Sequence, residues 1–151
     1  MYVTFILECS KYTFLNDSTR ATTYSNITVS LCDSNLLIGW YRFGGRQESQ
    51  MPESCVPIMR CGAAAPGWLN GVHPTVADGE VSRKVCFHWT NNCCKWSVNI
   101  KVRNCGGFYV YKHLEPPLCS GRYCVKGLPP TTGKLSNQTK FESLFCFLSI
   151  E

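Results

Sequence analysis

Two cysteines stand side by side in "VCFHWTNNCCKW", residues 85–96. Consecutive Cα atoms are about 3.8 Å apart across a trans peptide, whereas a disulfide usually spans about 4.4 Å or more between Cα atoms. Cys93 and Cys94 therefore need different partners, and the segment is a junction at which two other stretches of chain are pinned. Cys86 and His88 lie in the same run, so zinc binding and nucleophilic catalysis compete with this reading.

The spacing argues against zinc. Structural zinc sites use cysteine pairs separated by about two to four residues, repeated. Here Cys86 precedes an adjacent pair, no second histidine follows His88, and adjacent side chains on extended backbone point in opposite directions. A catalytic thiolate fits no better, because the chain has eleven cysteines in 151 residues, a usage that belongs to an oxidising compartment. Setting aside Cys146, ten remain, at positions 9, 32, 55, 61, 86, 93, 94, 105, 119 and 124. An even number allows every one to pair, although sequence spacing does not choose the pairs.

Composition narrows the class further. The chain is 44% hydrophobic, enough for a core, which excludes wholesale disorder. Only 17% of residues are charged, and such a chain leans on covalent staples. The net charge of +5 is scattered, without a run of five basic residues, so no nucleic-acid footprint is read. No apolar stretch reaches the roughly 18 residues of a membrane helix, so no direct membrane insertion is expected. Asn16, Asn26 and Asn137 each begin an N-glycosylation sequon. "MYVTFIL" lacks the basic flank and cleavage site of an export signal. Residues 1–8 are therefore expected to be a truncated or mis-started segment of a longer extracellular protein.

Alternation predicts three strands between residues 81 and 114. Val81, Val85, Phe87 and Trp89 share one face, as do Trp96, Val98, Ile100 and Val102. In the third, Phe108, Val110 and Leu114 oppose Tyr109, Tyr111 and His113. With "TNN" and "CGG" turns they make an antiparallel meander. "GWYRFGG" (39–45) adds a short aromatic strand. Residues 9–39 read as loop with one short strand, and residues 61–80, rich in Gly, Pro and Ala, as a long irregular loop anchored by Trp68 and Leu69. The expected fold is mostly β: a small disulfide-rich domain, an antiparallel meander with long irregular loops. Residues 125–151 read as a linker with a truncated or spurious tail containing Cys146.

"GWYRF", "CVPIMRCGAAAPGWLNGVHP", "VSRKVCFHW", "CCKW", "VRNCGGFYVY" and "PPLCSGRYC" together resemble the ten-cysteine extracellular domain of the uromodulin and pancreatic zymogen-granule membrane glycoprotein family, over residues 9–124. The resemblance implies a non-enzymatic module of a larger secreted or surface glycoprotein, without cofactor. Its partners would be the other extracellular modules of the parent protein, such as EGF-like and zona pellucida modules, and bacterial adhesins captured through N-glycans. It also implies the bridges Cys9–Cys105, Cys32–Cys119, Cys55–Cys93, Cys61–Cys124 and Cys86–Cys94, which leave Cys146 as a free thiol. The family's two glycan positions are absent: Asn70 is followed by Gly71 and Val72, and Lys112 follows "YVY". Sequons stand instead at Asn16 and Asn26. A competing reading is a lectin-like or adhesive receptor that uses exposed Tyr109 and Tyr111. A secreted enzyme is a third, but no carboxylate pair, Ser–His–Asp set or open metal site in the sequence supports it.

Overall fold

The computed structural model describes residues 6–44, 49–113 and 115–126. The sequon at Asn137, the thiol of Cys146 and the segment from residue 127 onward lie outside the described residues, as does Leu114.

Two long strands, β4 (Glu80–Trp89) and β5 (Asn92–Asn104), form the central hairpin. Their alternation is the reason: Val85, Phe87, Ile100 and Val102 are at most 2% exposed, while Lys84, Asn99 and Lys101 face solvent. Burying side chains of this size stabilises by about 1.5–3 kcal/mol each. Five more strands complete one sheet: β1 (Thr13–Leu15), β2 (Gly39–Phe43), β3 (Ala65–Asn70), β6 (Tyr109–His113) and β7 (Gly121–Tyr123). The order across the sheet is β1-β2-β6-β5-β4-β3-β7. The β1–β2 and β3–β7 pairs are parallel and the others antiparallel. The protein is thus a small disulfide-rich β domain whose described residues form no α-helix.

Three expectations need correction. Residues 61–80 are not loop throughout. Ala65–Asn70 form β3, with Ala65 and Leu69 at 0% exposure. A strand covered on both faces shows no alternation, and Pro66-Gly67 disguises it further. Gly67 is required there, because a Cβ would meet Phe87 Cε1 at 2.8 Å and the Arg122 carbonyl at 2.9 Å.

Tyr111 is not an exposed aromatic: it is 3% exposed and belongs to the main core with Phe43, Met51, Leu69 and Tyr123. Tyr109 is half-buried, its ring 4.5 Å from that of His73. The face opposite, carrying Val110, is covered at that end by the N-terminal segment, where Glu8 pairs with Arg103 at 2.5 Å and Cys9 is bonded to Cys105. With Tyr111 in the core and Tyr109 packed on His73, the tyrosines offer no binding platform.

The third correction is Cys32–Cys119, which is not formed. Cys32 is a free thiol whose Sγ lies 3.2 Å from Ser34 Oγ, and Cys119 is disulfide-bonded elsewhere. Packing also continues past Cys124: Val125 is fully buried, and its N–H donates to Arg20 O at 2.9 Å.

Candidate functional site

The cysteine junction sits in a β-bulge. Phe87 pairs with Trp96 and Trp89 with Asn92, so His88 alone faces Cys93, Cys94 and Lys95. The surplus residues break the strict two-residue period. That frees the neighbouring cysteines to diverge. Cys94 reaches back to Cys86 across the hairpin, with Cα atoms 4.6 Å apart. Cys93 reaches Cys55 at 5.7 Å. Cys61–Cys124 ties the β3 approach to the end of β7, and Cys9–Cys105 ties the N-terminus to the β5–β6 turn. These four are among the pairs that the resemblance implies. Cys61, Cys86 and Cys124, with Val56 and Trp68, make a second small core, and Trp68 Nε1 donates to Cys93 O at 2.7 Å.

Cys55, His88 and Cys93 bring their donor atoms within 4.8 Å of one another. The two sulfurs are joined to each other, however, and a metal needs thiolates. His88 Nδ1 lies 2.7 Å from Val56 O and 3.4 Å from Cys55 Sγ. The carbonyl can only accept, so it fixes the proton on Nδ1.

Both sequons within the described residues lie on the N-terminal wrap that crosses the edge of the sheet. Asn16 follows β1, and Asn26 lies in irregular backbone; both side chains are exposed. The wrap is held from inside. Asp17 caps a 3-10 turn at Ser18–Arg20 by accepting from Thr19 N at 2.9 Å. Its second oxygen pairs with Arg122. Arg122 Nη1 also donates to Cys61 O and Thr19 Oγ1, each at 2.8 Å. Arg20, 3% exposed, grips Asp33 and the Tyr123 carbonyl. Burial raises the Asp33 carboxyl, but the charge and hydrogen bonds of Arg20 more than reverse this and leave its pKa below the ordinary 3.8. Asp17 is lowered similarly, burial opposing and Arg122 prevailing. Burial, with Arg20 beside it, pushes Arg122 down to about 10, against Asp33 and Asp17, so it stays charged at neutral pH.

His73 and His113 are both buried. His73 bridges Glu53 through Nδ1 and Tyr111 Oη through Nε2, the latter at 2.8 Å. Tyr111 Oη in turn accepts from Met51 N at 3.1 Å. The Glu53–His73–Tyr111 chain fixes the loop after β3 onto β6. Burial depresses the His73 pKa more than Glu53 raises it, and lifts the Tyr111 phenol. The relay joins residues far apart in the chain, and nothing in the local pattern around any of the three announces it.

Comparison with known proteins places this geometry. The family model for the uromodulin-like domain matches residues 41–125. Rat (Rattus norvegicus) uromodulin is 49% identical over 118 residues, 78% of this chain and 18% of that protein. The pancreatic secretory granule membrane major glycoprotein GP2 of mouse (Mus musculus) is 46% identical over 121 residues, 78% of this chain and 23% of that protein. GP2 of dog (Canis lupus familiaris) is 42% identical over 142 residues, 93% of this chain and 27% of that protein. The chain therefore spans between about a sixth and about a quarter of the length of these relatives. On the family model and these identities, the chain belongs to the uromodulin-like domain family.

Proposed function

We propose that this domain is a non-enzymatic extracellular module that scaffolds a larger glycoprotein and presents N-glycans from its N-terminal wrap. The observation that carries the reading is the exposure of Asn16 and Asn26 on a segment anchored by the buried Arg20–Asp33 pair and the half-buried Asp17–Arg122 pair. A sugar attached there projects outward, while Asp17–Arg122 and Arg20–Asp33 keep the polypeptide beneath it fixed. The non-enzymatic part rests on the histidines: His73 is closed in by Glu53 and Tyr111, and His88 is tied to Val56 O. Neither is poised beside an open nucleophile. An extracellular setting is supported by the four disulfides between described residues.

The partners that follow are the neighbouring modules of the parent chain and mannose-binding bacterial adhesins that read the glycans. Glycopeptide mapping of protein secreted from a mammalian host tests the first step, with occupancy expected at Asn16 and Asn26. Bacterial capture tests the second: an Asn16→Gln, Asn26→Gln double variant that remains folded should lose it. Equal capture by the variant would mean that the polypeptide is recognised, the behaviour of a receptor domain.

A further inference from the structure

Residues directly opposite one another on neighbouring strands share a face of the sheet. Ser82 pairs with Lys101, Lys101 with Lys112, and Lys112 with Trp40. These four residues form one straight row across β4, β5, β6 and β2. Lys84 and Asn99 pair in the neighbouring row on the same face. All are exposed except Trp40, which is half-buried.

This row breaks a local rule. Two lysines stand directly opposite each other, a placement that costs stability. Lys101 has partial relief from Glu80 at 3.8 Å, although an exposed contact of this kind contributes little. Among the described residues, no carboxylate lies within salt-bridge distance of Lys112 or Lys84, and the Trp40 ring has no aromatic or cationic partner. Uncompensated violations of this kind mark functional surfaces.

We infer that the Lys84–Lys101–Lys112–Trp40 face binds a sulfated polysaccharide chain. Three features select this occupant. Neighbouring strands lie about 4.8 Å apart, so Lys101 and Lys112 stand close together, with Lys84 in the adjoining row, a positive cluster suited to a polymer with closely repeated anionic groups. Lysine ammonium groups act as rotatable point charges, which fit sulfate oxygens without demanding the planar fork geometry of arginine with a carboxylate. Trp40 at the end of the row offers a broad amphipathic ring on which a sugar ring can stack. An acidic peptide fits less well. The backbone groups along this row are consumed by the ladders, so a strand laid on the face gains none of the main-chain bonds that strand addition supplies. The inference is independent of glycan occupancy at Asn16 and Asn26.

The test uses the whole chain and a heparin-derived octasaccharide, with affinity read by calorimetry. Lys101→Gln with Lys112→Gln should weaken binding about tenfold, whereas Lys11→Gln with Lys126→Gln, which removes the same charge elsewhere, should change it less than about twofold. Affinity should fall steeply from about 0.05 M to about 0.3 M salt as screening shortens. Trp40→Leu, checked for folding by circular dichroism, should weaken binding without altering the salt slope. Equal losses in the two lysine pairs would show that net charge alone is read, and would overturn the inference. So would an absence of binding at low salt, or a poly-glutamate peptide of matched charge binding as tightly as the octasaccharide.

Discussion

Arg20 and Asp33 meet fork to fork inside the domain: Nη1 donates to Oδ2 at 2.8 Å and Nη2 to Oδ1 at 2.5 Å, with both residues at most 3% exposed. Asp33 Oδ2 also accepts from Tyr123 N at 2.8 Å, and Arg20 Nη1 donates to Tyr123 O at 3.1 Å. One ion pair thus supplies both a donor and an acceptor to the backbone of β7. It locks the wrap that carries the sequons to the far edge of the sheet.

Breaking that pair leaves a charge buried alone. Asp33→Asn strands the Arg20 guanidinium and should cost about 3–5 kcal/mol in urea unfolding under non-reducing conditions, as expected for loss of one partner of a buried pair. The same carboxylates set the acid limb of stability. Asp17 and Asp33 have folded-state values below the ordinary 3.8. Their contribution is therefore complete above that value and is lost as pH falls through the depressed folded values. Asp33→Asn should flatten the decline below about pH 4. An unchanged acid limb would show that other groups govern it.

His113 gives a different pH signature. It is 4% exposed, packs edgewise on Tyr41 and Tyr123, and among the described residues its ring nitrogens make no well-formed hydrogen bond, although the Asp33 backbone approaches the ring. Burial, the largest influence, and Arg20 lower its pKa, although Asp33 pulls the other way. The unfolded chain therefore takes up the proton first, and stability drains away as pH falls below the ordinary 6.5 toward the lower folded value. His113→Phe puts a slightly larger apolar ring in the same place and removes two polar atoms that lack well-formed hydrogen bonds. It should stabilise by about 1 kcal/mol at pH 7 and reduce the slope between about pH 7 and pH 5. His73, also lowered, should retain the remainder of that slope. A destabilised variant would mean that the ring nitrogens have partners in solution.

What is legible in the sequence follows from short-range pattern. β4 and β5 announce themselves by alternation because each has one wet face, and "CC" by itself requires divergent partners. β3 is hidden because Ala65, Pro66 and Gly67 read as loop; both faces are covered, and its ladder to β7 closes across more than fifty residues. The buried charges are equally hidden. Arg20, Asp33 and Arg122 look like ordinary surface residues in polar sequence, and only pairing across 13 to 105 positions makes their burial tolerable. The faces of β6 read the wrong way in the sequence because Val110 is also covered, by chain from the far N-terminus. Cys32 marks the limit of carrying pairings over from a resemblance: its sulfur rests against Ser34 instead.

The disulfides should rank by the loops they close. Cys9–Cys105 spans 96 positions and Cys86–Cys94 only 8. The chain-entropy relation gives roughly 4.7 kcal/mol for the first and roughly 2.5 kcal/mol for the second. Double Cys→Ala variants at each pair should unfold in that order in denaturant. Cys86 is fully buried beside its cross-strand partner Trp68, so its removal also leaves a small cavity. If the short bridge proved the costlier loss, packing at the bulge would outweigh loop closure.

Lys112 offers the last prediction. Its direct cross-strand neighbours are Lys101 on one side and Trp40 on the other, and its side chain is exposed with no acidic partner among the described residues. Threonine has the better β propensity, keeps the face polar and ends the like-charge contact. Lys112→Thr should therefore stabilise the domain by about 0.2–1 kcal/mol, the range of a cross-strand pair, which raises Tm by roughly one to a few degrees. Salt separates the contributions. Repulsion between exposed ammonium groups is screened, the Debye length falling from about 10 Å at 0.1 M to about 3 Å at 1 M. The gap between variant and parent should shrink as salt is added, leaving only the propensity difference. A gap that does not depend on salt would assign the gain to propensity alone. A loss of stability would mean that the lysine stem packs on Trp40 strongly enough to outweigh the repulsion, and the row would then be a structural arrangement of the sheet.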